Sequence, residues 1–136
     1  MSISFPLRAS SAILALTIAS RVIAGDIVVV MGPSATAMTR DQIANIYLGR
    51  STVLKPVDLP ESSAVRAAFY KKVTNRDADQ IKTVWSRLTF TGQGQPPKVL
   101  PDAAAIKKVL AADPKAIGYI EKSEVDATVK IVLTVD

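Results

Sequence analysis

The stretch LKPVDLPESSAVRAAFYKKV, residues 54–73, runs from a short strand through a proline-containing turn into an amphipathic helix. The first turn of that helix is predicted to carry Glu61, Ser62, Ser63 and Arg66. Backbone N–H groups at a helix start have no partner within the helix, and the positive end of the helix dipole lies behind them. Hydroxyls and a guanidinium at such a place suit an oxyanion, although a Ser cap beside a solvated Arg is the ordinary alternative.

Strand and helix patterns alternate along the rest of the chain. In residues 26–31, Asp26 precedes an unbroken apolar run rich in β-branched side chains, which indicates a strand buried on both faces. Capping boxes at Thr39 and Asp77 predict two helix starts, and Asp102 is a further expected cap. This alternation favours an α/β fold, a three-layer sandwich in which helices flank a mostly parallel sheet. The other strands are expected at residues 55–59, 98–100, 116–120 and 129–135.

Two of these strands, and one helix, allow more detailed expectations. Pro56 and Pro60 limit the strand at residues 55–59, which suggests a short or edge-like element. Trp85 lies at helical spacing among aliphatic residues, so we expect it in the core, and a platform for a ligand is the alternative. The last strand alternates, and one of its faces would be formed by Val129, Ile131, Leu133 and Val135.

Residues 1–24 have the layout of a secretory signal peptide. Arg8 stands in a start without acidic residues, an apolar run follows, and Ala24 precedes the expected cleavage point. The run is short for a membrane span, and Arg21 close to the cut leaves an uncleaved anchor as the alternative. We therefore expect residues 25–136 to form one periplasmic domain that does not span the membrane after cleavage.

Composition excludes several classes of function. The chain has 17 basic and 12 acidic residues, and without Arg8 and Arg21 the remaining 15 basic residues leave a net charge of +3. The basic residues are scattered, so nucleic-acid binding is not expected, whereas a mild positive charge suits small anions. Because the chain has no His and no Cys, it lacks the usual zinc ligands and the Ser-His and Cys-His nucleophilic systems. We expect no metal, no cofactor and no catalysis.

Several segments resemble those of a known family, the phosphate-binding type II periplasmic solute-binding proteins. Residues 41–50 resemble the family's LxxIFxGK segment, and residues 116–121 resemble the AIGY strand that ends its first lobe. Residues 66–70 and 90–97 are similar to a compact branch of the family. The resemblance implies the fold of one lobe of such a protein. It also implies an exported, non-enzymatic binding protein for phosphate or a similar small oxyanion, related to the substrate-binding component of ABC importers.

The site expected from this resemblance lies in two loops that follow the first and second strands. Ligands in such sheets sit outside the carboxyl ends of the strands, so both loops are expected at one edge. Glu61 would accept the proton of monohydrogen phosphate in a hydrogen bond and thereby reject sulfate, and Asp58 is the alternative for that role. The ordinary alternative for Glu61 is an acid that favours the helix dipole from the first turn. The implied ligand-binding residues are Ser34, Ser62, Ser63, Arg66 and Glu61.

The chain also departs from the family's pattern. Ser63 and Ala64 stand where the family has Gly and Thr, and Pro33 removes an N–H group from the first loop. The chain has length for one lobe only. These departures support an alternative function, an adaptor or sensor module that binds an envelope protein, such as a transporter or a membrane kinase, and has lost tight ligand binding.

Overall fold

The computed structural model describes residues 25–135, so the expected signal peptide at residues 1–24 lies outside the described residues. The strands are β1 (Ile27–Met31), β2 (Lys55–Asp58), β3 (Lys98–Val99), β4 (Ala116–Glu121) and β5 (Lys130–Val135). The helices are α1 (Arg40–Tyr47), α2 (Ala64–Thr74), α3 (Ala78–Phe90) and α4 (Ala103–Ala112), and a short 3-10 turn covers Lys122–Glu124. None of the helices in the described part of the chain is long and apolar enough to cross a membrane.

The strands form one mixed sheet in the order β3-β2-β4-β1-β5. β2 pairs in parallel with β3 and β4, whereas β1 pairs antiparallel with β4 and β5. β1 alone therefore runs against the other four strands, and the prediction of a mostly parallel α/β sheet is confirmed. The register pairs Val30 with Gly118 and Pro56 with Ile117, so β1 ends where β2 and β4 begin.

Helices cover both faces of the sheet, as the sequence predicts for a three-layer sandwich. Neighbouring residues of a strand point to opposite faces. On β4, a Cβ at Gly118 would meet Ile106 of α4, whereas the ring of Tyr119 stacks on Phe69 of α2 with the centroids 3.9 Å apart. Thus α4 lies on one face of the sheet, and α2 lies on the other.

The predicted helix starts are confirmed in detail at three helices. Both reciprocal bonds of the capping box form at Thr39 and at Asp77, and the Asp102 side chain accepts from the backbone of Ala105. α2 begins later than predicted, at Ala64 with Ser63 as its cap. The reason is the turn before it, closed by the Ser63 N–H donating to the carbonyl of Pro60, which places Glu61 and Ser62 ahead of the helix.

Two expectations for the strands are confirmed only in part. β2 is short but is not an edge strand, because β3 and β4 flank it. Pro56, which has no N–H group to donate, is tolerated because β3 pairs only with Val57 and Asp58. The alternation expected in the last strand is broken at Val132, which is buried although Lys130 and Thr134 are exposed. Val132 is an extra residue in the pairing, because the register with β1 shifts between the pairs Val29–Leu133 and Val30–Ile131.

Gly118 allows α4 to approach the sheet closely, because it has no Cβ. A Cβ at this position would lie 2.7 Å from Ile106 Cγ2 and 3.0 Å from Val57 Cγ2. We expect Gly118→Ala to lower the free energy of unfolding by about 1–3 kcal/mol, because the core must shift to admit the methyl group. Chemical denaturation measures this value. Gly94→Ala is the matched control, since its Cβ would make an ordinary 3.6 Å contact with Trp85; an equal loss in both variants would contradict the explanation.

Candidate functional site

The carboxylate of Asp58, at the end of β2, is buried with 3% of its surface exposed. Its Oδ1 accepts the backbone N–H of Leu59 at 2.9 Å and a very short hydrogen bond from the Tyr119 hydroxyl. Its Oδ2 accepts the Tyr70 hydroxyl at 2.6 Å. A buried carboxylate is tolerated only when donors replace its water, and here they come from β2, β4 and α2.

Both tyrosine hydroxyls remain donors over the whole physiological pH range. Burial raises the pKa of Tyr70 and of Tyr119, and the neighbouring Asp58 carboxylate raises both further. The rings belong to an aromatic cluster in which Tyr47 and Phe69 make edge contacts. The Tyr47 hydroxyl donates to the Val57 carbonyl at 2.8 Å, which ties α1 to β2. The polar network is therefore fixed by core packing.

Arg66, in the first turn of α2, lies against this carboxylate. Its Nε is 3.4 Å from Asp58 Oδ1, and the two side chains are 11% and 4% exposed. The contact is an ion pair without hydrogen-bond geometry, so within the described residues the buried Nε has no hydrogen-bond acceptor. The guanidinium carbon also lies 4.9 Å from the centre of the Tyr70 ring, a cation–π distance. The position of this cation is thus set by two neighbours.

Arg66 lines the larger of two pockets that flank the start of α2. This pocket has a volume of about 580 Å³ and is open to solvent. Its lining includes a face of α3 with Trp85 and Phe90, and Asp58 from β2. The residues that line the larger pocket are Asp58, Leu59, Glu61, Arg66, Ile81, Lys82, Trp85, Ser86, Thr89, Phe90, Pro96, Pro97 and Val99.

The smaller pocket, of about 340 Å³, lies on the other side of the α2 start. Ser62 and Ser63 line it, together with three acidic residues, Asp102, Glu121 and Glu124. Among the residues that the structure describes, no Lys or Arg lines this pocket. The Ser63 hydroxyl oxygen also accepts the backbone N–H of Arg66 at 3.2 Å, as the cap of α2. Negative side chains here oppose a bound anion.

The structure separates the site residues that the sequence predicts. Glu61 and Arg66 line the larger pocket, whereas Ser62 and Ser63 line the smaller one. Ser34 follows β1, and because β1 runs opposite to β2, its loop lies at the other end of the sheet. The expectation that both loops meet at one edge is therefore wrong; the rule behind it holds for strands that run in the same direction.

Two features of the site were not predicted from the sequence. Tyr70 and Tyr119 were not expected to hold a carboxylate, although an Asp between Val57 and Leu59 in a predicted strand signals a buried group that needs donors. The pocket wall on α3 was also not predicted, apart from the alternative role of Trp85 as a ligand platform. Trp85 is in the core as predicted, and its Nε1 donates to the Tyr47 carbonyl at 3.1 Å, but its ring also reaches the pocket.

Solved structures with a similar fold are phosphate transport receptors. A crystal structure of an ABC-type phosphate transport receptor from Vibrio cholerae matches with a TM-score of 0.62 at 20% identity, over 79% of this chain and 45% of that one. A protein from Clostridium perfringens, described as a phosphate ABC transporter substrate-binding protein with bound phosphate, matches with a TM-score of 0.64 at 23% identity, over 79% and 44%. PstS from Borrelia burgdorferi matches with a TM-score of 0.57 at 15% identity, over 79% of this chain and 46% of that one.

These similarities concern the fold. The chain spans less than half the length of each receptor, and the identities are low. No protein-family model and no curated protein sequence matches the chain. The chain thus has an α/β fold that matches one lobe of phosphate transport receptors, as the resemblance in its sequence implies.

Asp58 should be the most sensitive polar position in the domain. Asp58→Ala would leave the Tyr70 and Tyr119 hydroxyls and the Arg66 cation without their buried acceptor, so we expect a loss of about 3–5 kcal/mol in the free energy of unfolding. Urea denaturation measures the loss. Lys55→Ala is the control: it breaks an ion pair with Asp113 in which the Lys55 side chain is 73% exposed, and should cost at most about 1 kcal/mol. Similar losses in both variants would contradict a central role for Asp58.

Proposed function

We propose that this chain is a non-enzymatic solute-binding domain that takes phosphate, or a similar protonated oxyanion, in the larger pocket. The observation that carries the proposal is the position of Arg66, a largely buried cation that lines the pocket and is held by Asp58 and Tyr70. A guanidinium presents several N–H donors in one plane and matches the oxygens of a phosphoryl group. The match to phosphate transport receptors supports a solute-binding role.

Charge favours the larger pocket over the smaller one. Arg66 and Lys82 line the larger pocket, whereas three carboxylates line the smaller one. The start of α2 lies between the two pockets, so its dipole favours an anion on either side. The side chains decide which side is used, because a full charge at contact distance exceeds the partial charge of a helix end.

The carboxylates of the larger pocket have different roles in this proposal. Asp58 already accepts three hydrogen bonds and faces Arg66, so it holds the cation in place. Glu61 lines the pocket and is exposed, which leaves it free to accept the proton of monohydrogen phosphate. A carboxylate in that position repels an anion that has no proton to share.

Arg66 is the first position to test. We expect Arg66→Gln to weaken phosphate binding by about 10- to 100-fold, since hydrogen bonds to a charged group contribute about 1.5–3 kcal/mol. Isothermal titration measures the affinity, and denaturation of the same variant checks that the domain stays folded without the ion pair. Ser34→Ala, at the opposite end of the sheet, and Ser62→Ala, in the smaller pocket, should bind as the unaltered protein does. Full affinity in Arg66→Gln, or its loss in Ser62→Ala, would overturn the assignment.

Glu61 is expected to control selectivity between phosphate and sulfate. Glu61→Gln replaces a charged acceptor with a neutral amide, so phosphate binding should weaken while sulfate binding improves, reducing the preference by roughly tenfold. Competition of the two anions in the titration measures the preference. An unchanged preference would show that Glu61 does not contact the protonated oxygen.

The adaptor hypothesis from the sequence stays a prediction. It would be favoured if a membrane partner from envelope extract bound equally well to the unaltered protein and to Arg66→Gln, with and without phosphate. Loss of the partner in Arg66→Gln would instead tie partner binding to the anion site.

A further inference from the structure

The larger pocket is much bigger than an inorganic anion and is walled mainly by apolar groups. Its volume of about 580 Å³ falls within the range of sites that hold small organic ligands, roughly 300–1,000 Å³. Arg66 and Glu61, close to the start of α2, and Lys82 of α3 supply charge. The apolar part of the lining consists of Ile81, Trp85, Phe90, Pro96, Pro97 and Val99.

Part of this apolar wall is exposed to solvent. Phe90 is 93% exposed and Val99 is 59% exposed, although both line the pocket. Trp85 is 9% exposed and anchored by its hydrogen bond to Tyr47, so the wall behind the exposed rim is rigid. A free phosphate ion would touch Arg66 and leave this apolar surface in water, whereas a ligand with an apolar body would cover it.

The geometry points to a more specific ligand class, a phosphonate or phosphate monoester with an apolar substituent. This inference rests on the proposed function, since it places the phosphoryl group at Arg66 and Glu61. The substituent lies along the α3 face, between Trp85 and the rim formed by Phe90 and Val99. A monosubstituted phosphoryl group keeps one ionisable oxygen that can carry a proton, whereas sulfate has none, so the role proposed for Glu61 is retained.

The test compares phenylphosphonate, methylphosphonate and inorganic phosphate on the same protein. Trp85 is the single Trp of the chain and lines the pocket, so its fluorescence reports binding directly, and isothermal titration gives the affinities. We expect phenylphosphonate to bind at least about tenfold more tightly than methylphosphonate, because covering a phenyl group removes apolar surface from water on both partners.

Two variants locate the phenyl group. Phe90→Ala should reduce the preference for phenylphosphonate several-fold and leave the affinity for inorganic phosphate unchanged. Val53→Ala is its control, because it truncates a 69% exposed side chain outside the pocket. Ser86→Phe places a ring into the pocket from an exposed position of α3 and should exclude the phenyl ligand while phosphate still binds. Thr83→Phe, on the same helix but not lining the pocket, is the matched control.

The outcomes separate this inference from the proposed function. Equal affinity for the three ligands, or a phenyl preference that neither Phe90→Ala nor Ser86→Phe changes, overturns the ligand class and leaves phosphate binding intact. Absence of binding by all three ligands overturns the proposed function as well. An affinity for phenylphosphonate that stays unchanged in Arg66→Gln shows that the ring adsorbs without the phosphoryl contact, and also overturns the inference.

Discussion

The buried carboxylate of Asp58 is the interaction on which the rest of the site depends. A charge with 3% exposure is stable only when donors surround it, and these come from separate elements: the N–H of Leu59, the hydroxyls of Tyr70 and Tyr119, and the cation of Arg66. The requirement ties the start of α2 to the ends of β2 and β4. It also places one guanidinium at the wall of the larger pocket.

Strand direction then determines which loops share that edge. Since β1 is antiparallel to β4, the loop that contains Ser34 lies at one end of the sheet, and the start of α2 lies at the other. The α2 start further divides its own edge, with Arg66 and Glu61 on one side and Ser62 on the other. Residues that are neighbours in the sequence therefore face different pockets with different charge.

Local signals predicted the elements well, because each depends on only a few adjacent residues. The capping boxes at Thr39 and Asp77 form as expected, and the buried run of β1 is fully covered. Predictions failed where a partner strand or a turn decided the outcome. The register shift of β5 depends on β1, and the late start of α2 depends on the turn closed between Pro60 and Ser63.

The sequence by itself determined the α/β class, the starts of α1, α3 and α4, and the core position of Trp85. It did so because periodicity and capping are properties of short segments. Only the tertiary structure decided that Asp58 is held by Tyr70 and Tyr119, and that Ser34 lies far from the site. Both facts depend on strand order and strand direction, which bring distant residues such as Asp58 and Tyr119 together. Strand order and direction cannot be read from the spacing of residues within a short segment.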